Sequence, residues 1–342
     1  MLADSARHFT RCAPGILLAA AVSVLSLVIA HMEERLFGHP VIEGLVVAIL
    51  LGMAVRSVWD LPEGLDVGVR FTAKQVLEVA VFLLGASVDL PLLLKTGPAL
   101  AVGIVLLVIL GISGSFLIGR ALGLPNKLAI LVACGNGICG NSAIAAVAPV
   151  IHADREHVAS SIAFTAILGV VVVVGLPLLI KPLHLSFFQY GVLAGLTVYA
   201  VPQVLAAAFP VSVLSGQVGT LVKLVRVLML GPVVLFFALR HRREAKTGGQ
   251  PHFSITRFVP WFIIGFLLLA ALRSAGALAE AWVADARSLS MWLSVAAMAG
   301  LGLGVDVRMV KRVGRPVIAT VSASLVVLIV LAVGLIRSLG IR

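Results

Sequence analysis

Long runs of apolar residues recur along the whole chain, each close to the length that a helix needs to cross a lipid bilayer. A helix must supply roughly 20 apolar residues to span the hydrocarbon core. The sequence predicts eleven such spans, at 14–30, 41–58, 72–88, 98–118, 128–150, 158–180, 188–208, 217–239, 258–273, 289–305 and 316–336. Hydrophobic residues make up 61% of the 342 residues and charged residues only 12%, a balance that excludes an ordinary soluble domain. We therefore predict an all-α polytopic membrane protein with about eleven transmembrane helices.

The basic residues lie mainly in the links between these spans, so the net charge of +11 indicates membrane orientation rather than nucleic-acid binding. With eleven spans, 17 Lys and Arg residues fall on the side of the N-terminus and seven on the other side. Cytoplasmic links are the richer in Lys and Arg. We expect a cytoplasmic N-terminus and an external C-terminus. Residues 7–30 resemble a signal peptide, but no small-residue cleavage site follows, so we expect them to remain as the first span.

The fifth predicted span contains residues that destabilise a helix in the middle of a membrane. Each glycine costs about 1 kcal/mol of helix propensity, and asparagine competes for backbone hydrogen bonds. We predict that the helix unwinds over 135–141 and presents free amides that attract an anion. Close helix packing through small residues is the alternative explanation. The candidate substrate-binding residues in this span are Gly135, Asn136, Gly137, Gly140, Asn141 and Ser142.

Charged and amide side chains also occur inside other spans. Lys223 and Arg226 are three residues apart on one face of the eighth span, and a charge near the midplane costs at least roughly 2.5–3.5 kcal/mol. The pair is predicted either to neutralise an anionic substrate or to form an ion pair with Glu78 of the third span. Glu78 is the candidate carboxylate for proton or ion coupling. Gln203 and Tyr199 are four residues apart in the seventh span, and each is predicted either to line a cavity or to bond a neighbouring helix.

Two stretches resemble each other at an offset of 217 residues: 85–89 with 302–306, each ending in Val-Asp after a glycine. An offset of seven spans would give the two copies opposite orientations. Inverted repeats of this kind are typical of secondary transporters. The alternative is that both copies are a common type of helix ending.

The sequence offers little support for an enzyme. All eight histidines lie in links or tails, so no histidine base lies within a span. Cys134 and Cys139 are five residues apart, which is not a metal-binding spacing. We expect no catalytic residues, no metal and no cofactor.

The string CGNGICGNSAI at 134–144, continuing to 149–151, resembles the YeiH-like family of bacterial inner-membrane proteins, which are described as sulfate exporters. Residues 195–207, 220–227 and 297–303 resemble the same family. The family is related to cation–proton antiporters and bile-acid symporters. The resemblance implies inverted five-helix repeats, core and panel domains, and broken crossing helices at the fifth and tenth spans.

This resemblance divides the chain into an N-terminal tail with an additional first helix at 1–40, a first repeat at 41–181 with the broken helix at 128–150, and a second repeat at 182–342. The implied offset of five spans differs from the seven-span match, and both stay open. The chain also departs from the family pattern. Asn136 and Gly137 replace small hydroxyl residues, and Tyr199 and Ala200 replace a histidine–acid pair, which puts proton coupling through the seventh span in doubt.

Together these features favour a secondary active transporter that moves a small anion, such as sulfate or a sulfonate, by alternating access in the bacterial inner membrane. The anion would bind the residues of the fifth span together with Gln203, Lys223 and Arg226. Export and a homodimer are implied by analogy, with a proton or sodium ion as coupling partner. The alternatives are a cation–proton antiporter that uses Glu78, and an anion channel.

Overall fold

The computed structural model describes residues 2–37, 44–87, 97–241, 261–306, 308 and 314–340. Within these ranges the regular structure is entirely helical, which confirms the predicted all-α fold. In chain order the helices are α1 Leu2–Phe37, α2 Gly44–Val58, α3 Glu63–Phe71, α4 Leu77–Leu84, α5 Gly97–Ala121, α6 Asn126–Gly137, α7 Asn141–Val147, α8 Arg155–Gly175, α9 Ile180–Leu183, α10 Phe187–Thr197, α11 Val201–Ala208, α12 Val213–Leu228, α13 Leu230–His241, α14 Trp261–Ser274, α15 Glu280–Leu303 and α16 Arg315–Ser338.

Six helical segments in the described ranges are long and apolar enough to cross a membrane: Cys12–Glu33, Pro98–Ala121, Glu156–Leu183, Val213–Arg240, Glu280–Leu303 and Arg315–Ser338. Two shorter apolar helices, Gly44–Val58 and Trp261–Ser274, accompany them. These observations support a multi-pass membrane protein, while the predicted number of eleven spans is not confirmed.

The chain forms two compact units, each assembled from separate segments. The first contains Met1–Pro91, Leu205–Pro210 and Phe262–Arg308, and the second contains Leu92–Val204, Val211–Trp261 and Met309–Arg342. These units are interleaved along the sequence. The division into repeats at 41–181 and 182–342 concerns sequence relatedness and stays a prediction.

Glycines allow the helices of the first unit to pack backbone against backbone. A side chain at Gly68 in α3 would collide with the backbone of Cys12 in α1, and one at Gly52 in α2 would lie 2.6 Å from the carbonyl of Ala299 in α15. Close approach through small residues is therefore how this unit packs, as is common in membrane bundles.

Two links of the first unit meet at one end of its helices. Arg308, after α15, donates hydrogen bonds to Asp60, after α2, and to both carboxylate oxygens of Asp306, at 3.0 and 3.2 Å. These hydrogen bonds hold the pKa of Asp306 below its usual value. Because Asp60 and Arg308 are neighbours, the two links lie at the same end of the unit, as the predicted topology requires.

In the second unit, the fifth predicted span turns back instead of crossing. The helix continues to Gly137, breaks over 138–140 and resumes at Asn141 as α7. The ammonium group of Lys127, at the start of α6, donates to the carbonyl of His152, 2.7 Å away and beyond the end of α7. Both ends of the segment therefore lie at the same level, and α6, with 12 residues, reaches about 18 Å inward. We name residues 126–152 the first re-entrant segment.

The seventh predicted span also turns back. Helix α10 ends at Thr197, and α11 begins at Val201. Helices α10 and α12 run parallel, because Ser215 at the start of α12 donates to the carbonyl of Phe187 at the start of α10, 2.7 Å away. The chain must return to its starting level between these helices. We name the part of this stretch that begins with α10 and lies in the second unit, residues 187–204, the second re-entrant segment.

The two re-entrant segments enter the second unit from opposite ends. The intervening helical segment Glu156–Leu183 has 28 residues and spans about 40 Å, so it carries the chain from one end to the other. With the fifth and seventh spans turning back, Arg155 moves to the side of the N-terminus and Lys181 moves to the other side. The count of 17 Lys and Arg residues on one side and seven on the other is therefore unchanged.

The prediction of a broken tenth span is wrong. Helix α15 continues without a break from Glu280 to Leu303. The interruption opposite the fifth span instead lies in the seventh span, over 198–200. The sequence match between 85–89 and 302–306 stays untested, since Asp89 lies outside the described residues.

Candidate functional site

The tips of the two re-entrant segments meet beside α12, at two cationic side chains. Lys223 and Arg226 are three residues apart near the end of α12, and both are 0% exposed. Pro232 lies just beyond, where the chain is interrupted at Met229. A proline removes the hydrogen bond to the residue four positions earlier, which accounts for this break after the cationic pair.

Arg226 binds the backbone of both tips. Its Nε donates to the carbonyl of Gly137 at 3.2 Å, and its Nη2 donates to the same carbonyl at 2.8 Å. The guanidinium reaches five carbonyls in all, two from the end of α6 and three from the end of α10: Asn136, Gly137, Gly195, Leu196 and Val198. A guanidinium has five N–H donors and no acceptor, so these carbonyls satisfy it without a carboxylate.

Lys223 joins the same two tips. Its ammonium group donates to the carbonyl of Ile138 in the first tip and to that of Val198 in the second, the latter at 2.7 Å. An ammonium has three hydrogens, and two are used in these bonds. In the described part of the chain, all hydrogen-bond partners of Lys223 and Arg226 are thus backbone carbonyls. The N–H donors of Arg226 are therefore satisfied without the predicted ion pair with Glu78.

Unpaired carbonyls at the end of a helix carry about half a negative charge. Helices α6 and α10 both end at the cationic pair and together supply about one negative charge. When both are protonated, Lys223 and Arg226 carry two positive charges. The cluster therefore retains about one positive charge.

The first tip depends on an unusual backbone conformation. Gly140 has φ +67° and ψ −126°, a combination that residues with a Cβ rarely adopt. Gly140 precedes α7 and packs against Tyr199 of the second tip. A Cβ atom added to Gly140 would lie 3.5 Å from the Cβ of Tyr199. The two tips are therefore in direct contact.

The polar residues after Gly140 differ in exposure from those before it. Residues 131–140 are all buried, whereas Asn141 and Ser142 are exposed. Neither side chain caps α7. Instead, Asn141 accepts a hydrogen bond from Thr165 of α8. The tip thus presents polar groups at about the middle depth of the unit.

Gln203 stabilises the second tip from within. Its Oε1 accepts from the backbone N–H of Ala200 at 3.2 Å, which satisfies a free donor before α11. A side chain at Gly169 of α8 would collide with the Gln203 amide. Gln203 therefore lies in the predicted cluster and holds the backbone, while a contact with substrate stays a prediction.

Two buried polar atoms at the tips have no hydrogen-bond partner among the residues that the structure describes. They are Oδ1 of Asn136, in a residue that is 1% exposed, and Oη of Tyr199, in a residue that is 0% exposed. The ring of Tyr199 packs edge-on against Phe164 of α8, with ring centroids 6.3 Å apart. The sequence left the role of Tyr199 open and gave no signal for Phe164 or Thr165.

The structure brings most of the predicted residues together: Gly135, Asn136, Gly137, Gly140, Asn141, Ser142, Gln203, Lys223 and Arg226 all belong to the second unit. Glu78 lies in α4 of the first unit and is half-buried. Among the described residues, no group of His, Cys, Asp and Glu side chains could hold a metal ion.

Comparisons with known proteins agree on one family. The family model described as conserved hypothetical protein 698 matches residues 14–320. A UPF0324 membrane protein of Bradyrhizobium diazoefficiens is 52% identical over 324 residues, covering 95% of this chain and 92% of the relative. Its counterpart in Agrobacterium fabrum is 49% identical, over 97% and 94% of the two chains. One in Corynebacterium glutamicum is 34% identical, over 96% and 93%.

Proposed function

This chain belongs to the UPF0324 membrane proteins, the YeiH-like family that its sequence resembles, and from this premise we propose that it is a secondary transporter of a small anion. Sulfate or a sulfonate is the favoured substrate class, because the family resemblance points to export of sulfate. The proposed location is a bacterial inner membrane, with the N-terminus in the cytoplasm. Two re-entrant tips that meet at a buried cationic pair are the observation that carries the proposal.

The charge of this cluster favours an anion over a cation. The two helix ends offset about half of the positive charge of Lys223 and Arg226. Burying an unbalanced charge is unfavourable, so an anion that arrives at the tips lowers the free energy of the site. A cation would raise it, which argues against a cation–proton antiporter.

The exposed tip offers a route to this cluster. Asn141 and Ser142 are polar and exposed, and irregular backbone at membrane depth is tolerated only inside protein or beside a water-filled cavity. We propose that these two residues line such a cavity. Because the two re-entrant segments enter from opposite ends, each tip would face one side of the membrane, which suits alternating access.

Sulfate counterflow in proteoliposomes tests the proposal. Vesicles loaded with unlabelled sulfate should accumulate labelled sulfate faster than empty vesicles, because an alternating-access carrier exchanges substrate. Equal rates with and without internal sulfate would indicate a channel. Repeating the assay with a pH gradient and with a sodium gradient identifies the coupling ion.

A pair of matched variants tests the cationic site. Lys223→Gln removes one charge from the cluster but keeps an N–H donor for the carbonyls. We expect the KM for sulfate to rise at least about tenfold, since hydrogen bonds to charged groups contribute about 1.5–3 kcal/mol. Lys181→Gln removes the same charge from the exposed end of α9 and should leave the KM unchanged. If sulfate transport survives Lys223→Gln intact and a proton-driven cation flux stops in Glu78→Gln, the protein is an antiporter instead.

A further inference from the structure

Each re-entrant tip of the second unit buries one side-chain polar atom that finds no hydrogen-bond partner in the described ranges of the chain. Oδ1 of Asn136 lies at the end of α6, and Oη of Tyr199 lies between α10 and α11. Buried polar groups in folded proteins are nearly always hydrogen-bonded, and an exception calls for an explanation such as a bound water, ion or ligand. Two exceptions at one junction indicate a place that another molecule can occupy.

Arg226 joins the backbone at Asn136 to the backbone beside Tyr199. One guanidinium donates to the carbonyl of Asn136 at 3.1 Å and to that of Val198, the neighbour of Tyr199, at 3.4 Å. The Cβ of Tyr199 also lies 3.5 Å from the position of a Cβ on Gly140 in the first tip. Both unpartnered side chains therefore belong to the cluster that holds the excess positive charge.

We propose that Tyr199 and Asn136 are the direct ligands of the transported anion, an inference that rests on the proposed function. The phenol of Tyr199 donates its O–H to an anionic oxygen, and the amide of Asn136 donates through its nitrogen once the side chain turns by 180°. Lys223 contributes its remaining hydrogen. Three such donors, one from each tip and one from α12, would suit an oxyanion with several oxygens, such as sulfate or a sulfonate.

Arg226 takes no part in this contact. Its donors are occupied by the carbonyls of both tips, so it acts on the anion through its charge and by holding Tyr199 and Asn136 in place. The proposed anion site is therefore not centred on the arginine. Loss of the Tyr199 hydroxyl, which leaves the ring against Phe164, should weaken binding without disturbing the fold.

The chain contains only two tyrosines, Tyr190 and Tyr199, which permits a direct spectroscopic test. Protein labelled with 3-fluorotyrosine and carrying Tyr190→Phe should give one ¹⁹F resonance, from Tyr199. The matched control, Tyr199→Phe, reports Tyr190, which is also buried. Each is titrated in nanodiscs with sodium sulfate and with sodium methanesulfonate against sodium gluconate of equal ionic strength.

The Tyr199 resonance should shift saturably with sulfate or methanesulfonate, while the Tyr190 resonance should stay in place. A shift that gluconate reproduces, equal shifts at both tyrosines, or no saturable shift would overturn the inference. In proteoliposomes, Tyr199→Phe should raise the KM for sulfate roughly ten- to hundredfold with little change in maximal rate and in melting temperature. An unchanged KM would also overturn it.

These measurements separate the inference from the proposed function. A saturable shift at Tyr199 without sulfate counterflow would leave the binding site in place and refute transport. Counterflow with no shift would support transport and place the anion elsewhere.

Discussion

Replacing Arg226 with methionine should unfold the junction of the two re-entrant segments. Methionine keeps an unbranched side chain of similar length but removes all five N–H donors. Lys223 still donates a hydrogen bond to the carbonyl of Val198. The other four carbonyls that Arg226 contacts are left without the donor that it supplies. A buried acceptor left without a partner costs about 1–3 kcal/mol, so the loss is at least about 4 kcal/mol, against a total stability of about 5–15 kcal/mol for most proteins.

The melting temperature of the detergent-solubilised protein, followed by fluorescence-detected size-exclusion chromatography after heating, measures this loss. A loss of about 4 kcal/mol corresponds to a fall of about 10 °C for a chain of a few hundred residues. Arg226→Lys keeps the charge but supplies fewer donors and should fall in between. Arg240→Met, at an exposed position of α13, is the matched control and should melt like the unaltered protein.

If Arg226→Met melts within about 2 °C of Arg240→Met, the four carbonyls need no donor from Arg226, and the role given to this residue is wrong. The role is also wrong if sulfate restores the melting temperature of Arg226→Met but does not change that of the other variants. The ligand would then replace the arginine, and the backbone would not require it.

Three further predictions concern the turn, the topology and one ion pair. Gly140→Ala should destabilise the protein by about 1–3 kcal/mol, because its φ of +67° and ψ of −126° suit glycine alone; Gly114→Ala, in an open helical position, should be neutral or slightly stabilising in the same melting assay. The topology is tested in a protein whose three native cysteines are changed to serine. Single cysteines placed at Asn126 and at Glu156 should react with an impermeant maleimide from the same side of the vesicle. Labelling from opposite sides would mean that the fifth span crosses the membrane. Arg308 lowers the pKa of Asp306. The stability that this ion pair contributes is therefore present above pH 3.8, the ordinary pKa of the carboxyl group, and is lost as the pH falls through the lowered pKa. The melting temperature should drop more steeply below pH 3.8 in the unaltered protein than in Asp306→Asn.

The composition and the apolar runs were enough to predict the helical membrane fold, because a bilayer admits few structures whose backbone is satisfied internally. The cluster of glycine and asparagine in 135–141 likewise predicted a broken helix, and the break lies within that stretch, over 138–140. Lys223 and Arg226 were predicted either to share an anion site with this stretch or to pair with Glu78. In the structure both donate hydrogen bonds to the backbone of the break.

Hydropathy could not show that the fifth and seventh spans turn back. A helix that crosses and a pair of half-length helices that return contain the same number of apolar residues. Only long-range contacts distinguish them, such as Lys127 with the carbonyl of His152 and Ser215 with that of Phe187. Partners of this kind lie 25 and 28 residues apart, beyond any local pattern.

The sequence favoured Arg226 over Lys223 as the anion-binding cation, whereas the geometry favours Lys223 for that task and gives Arg226 the task of holding the tips. Arg226 has its N–H groups directed at carbonyls of both tips, whereas Lys223 makes two such bonds and has three hydrogens to offer. An anion can gain a hydrogen bond from Lys223 without breaking the backbone contacts, but it could bind Arg226 directly only by displacing a carbonyl. Loss of stability should therefore be concentrated at Arg226 and loss of affinity at Lys223. The variants Arg226→Met and Lys223→Gln, measured in both assays, must show this crossed pattern if Arg226 makes most of the bonds that hold the tips and Lys223 donates to the anion.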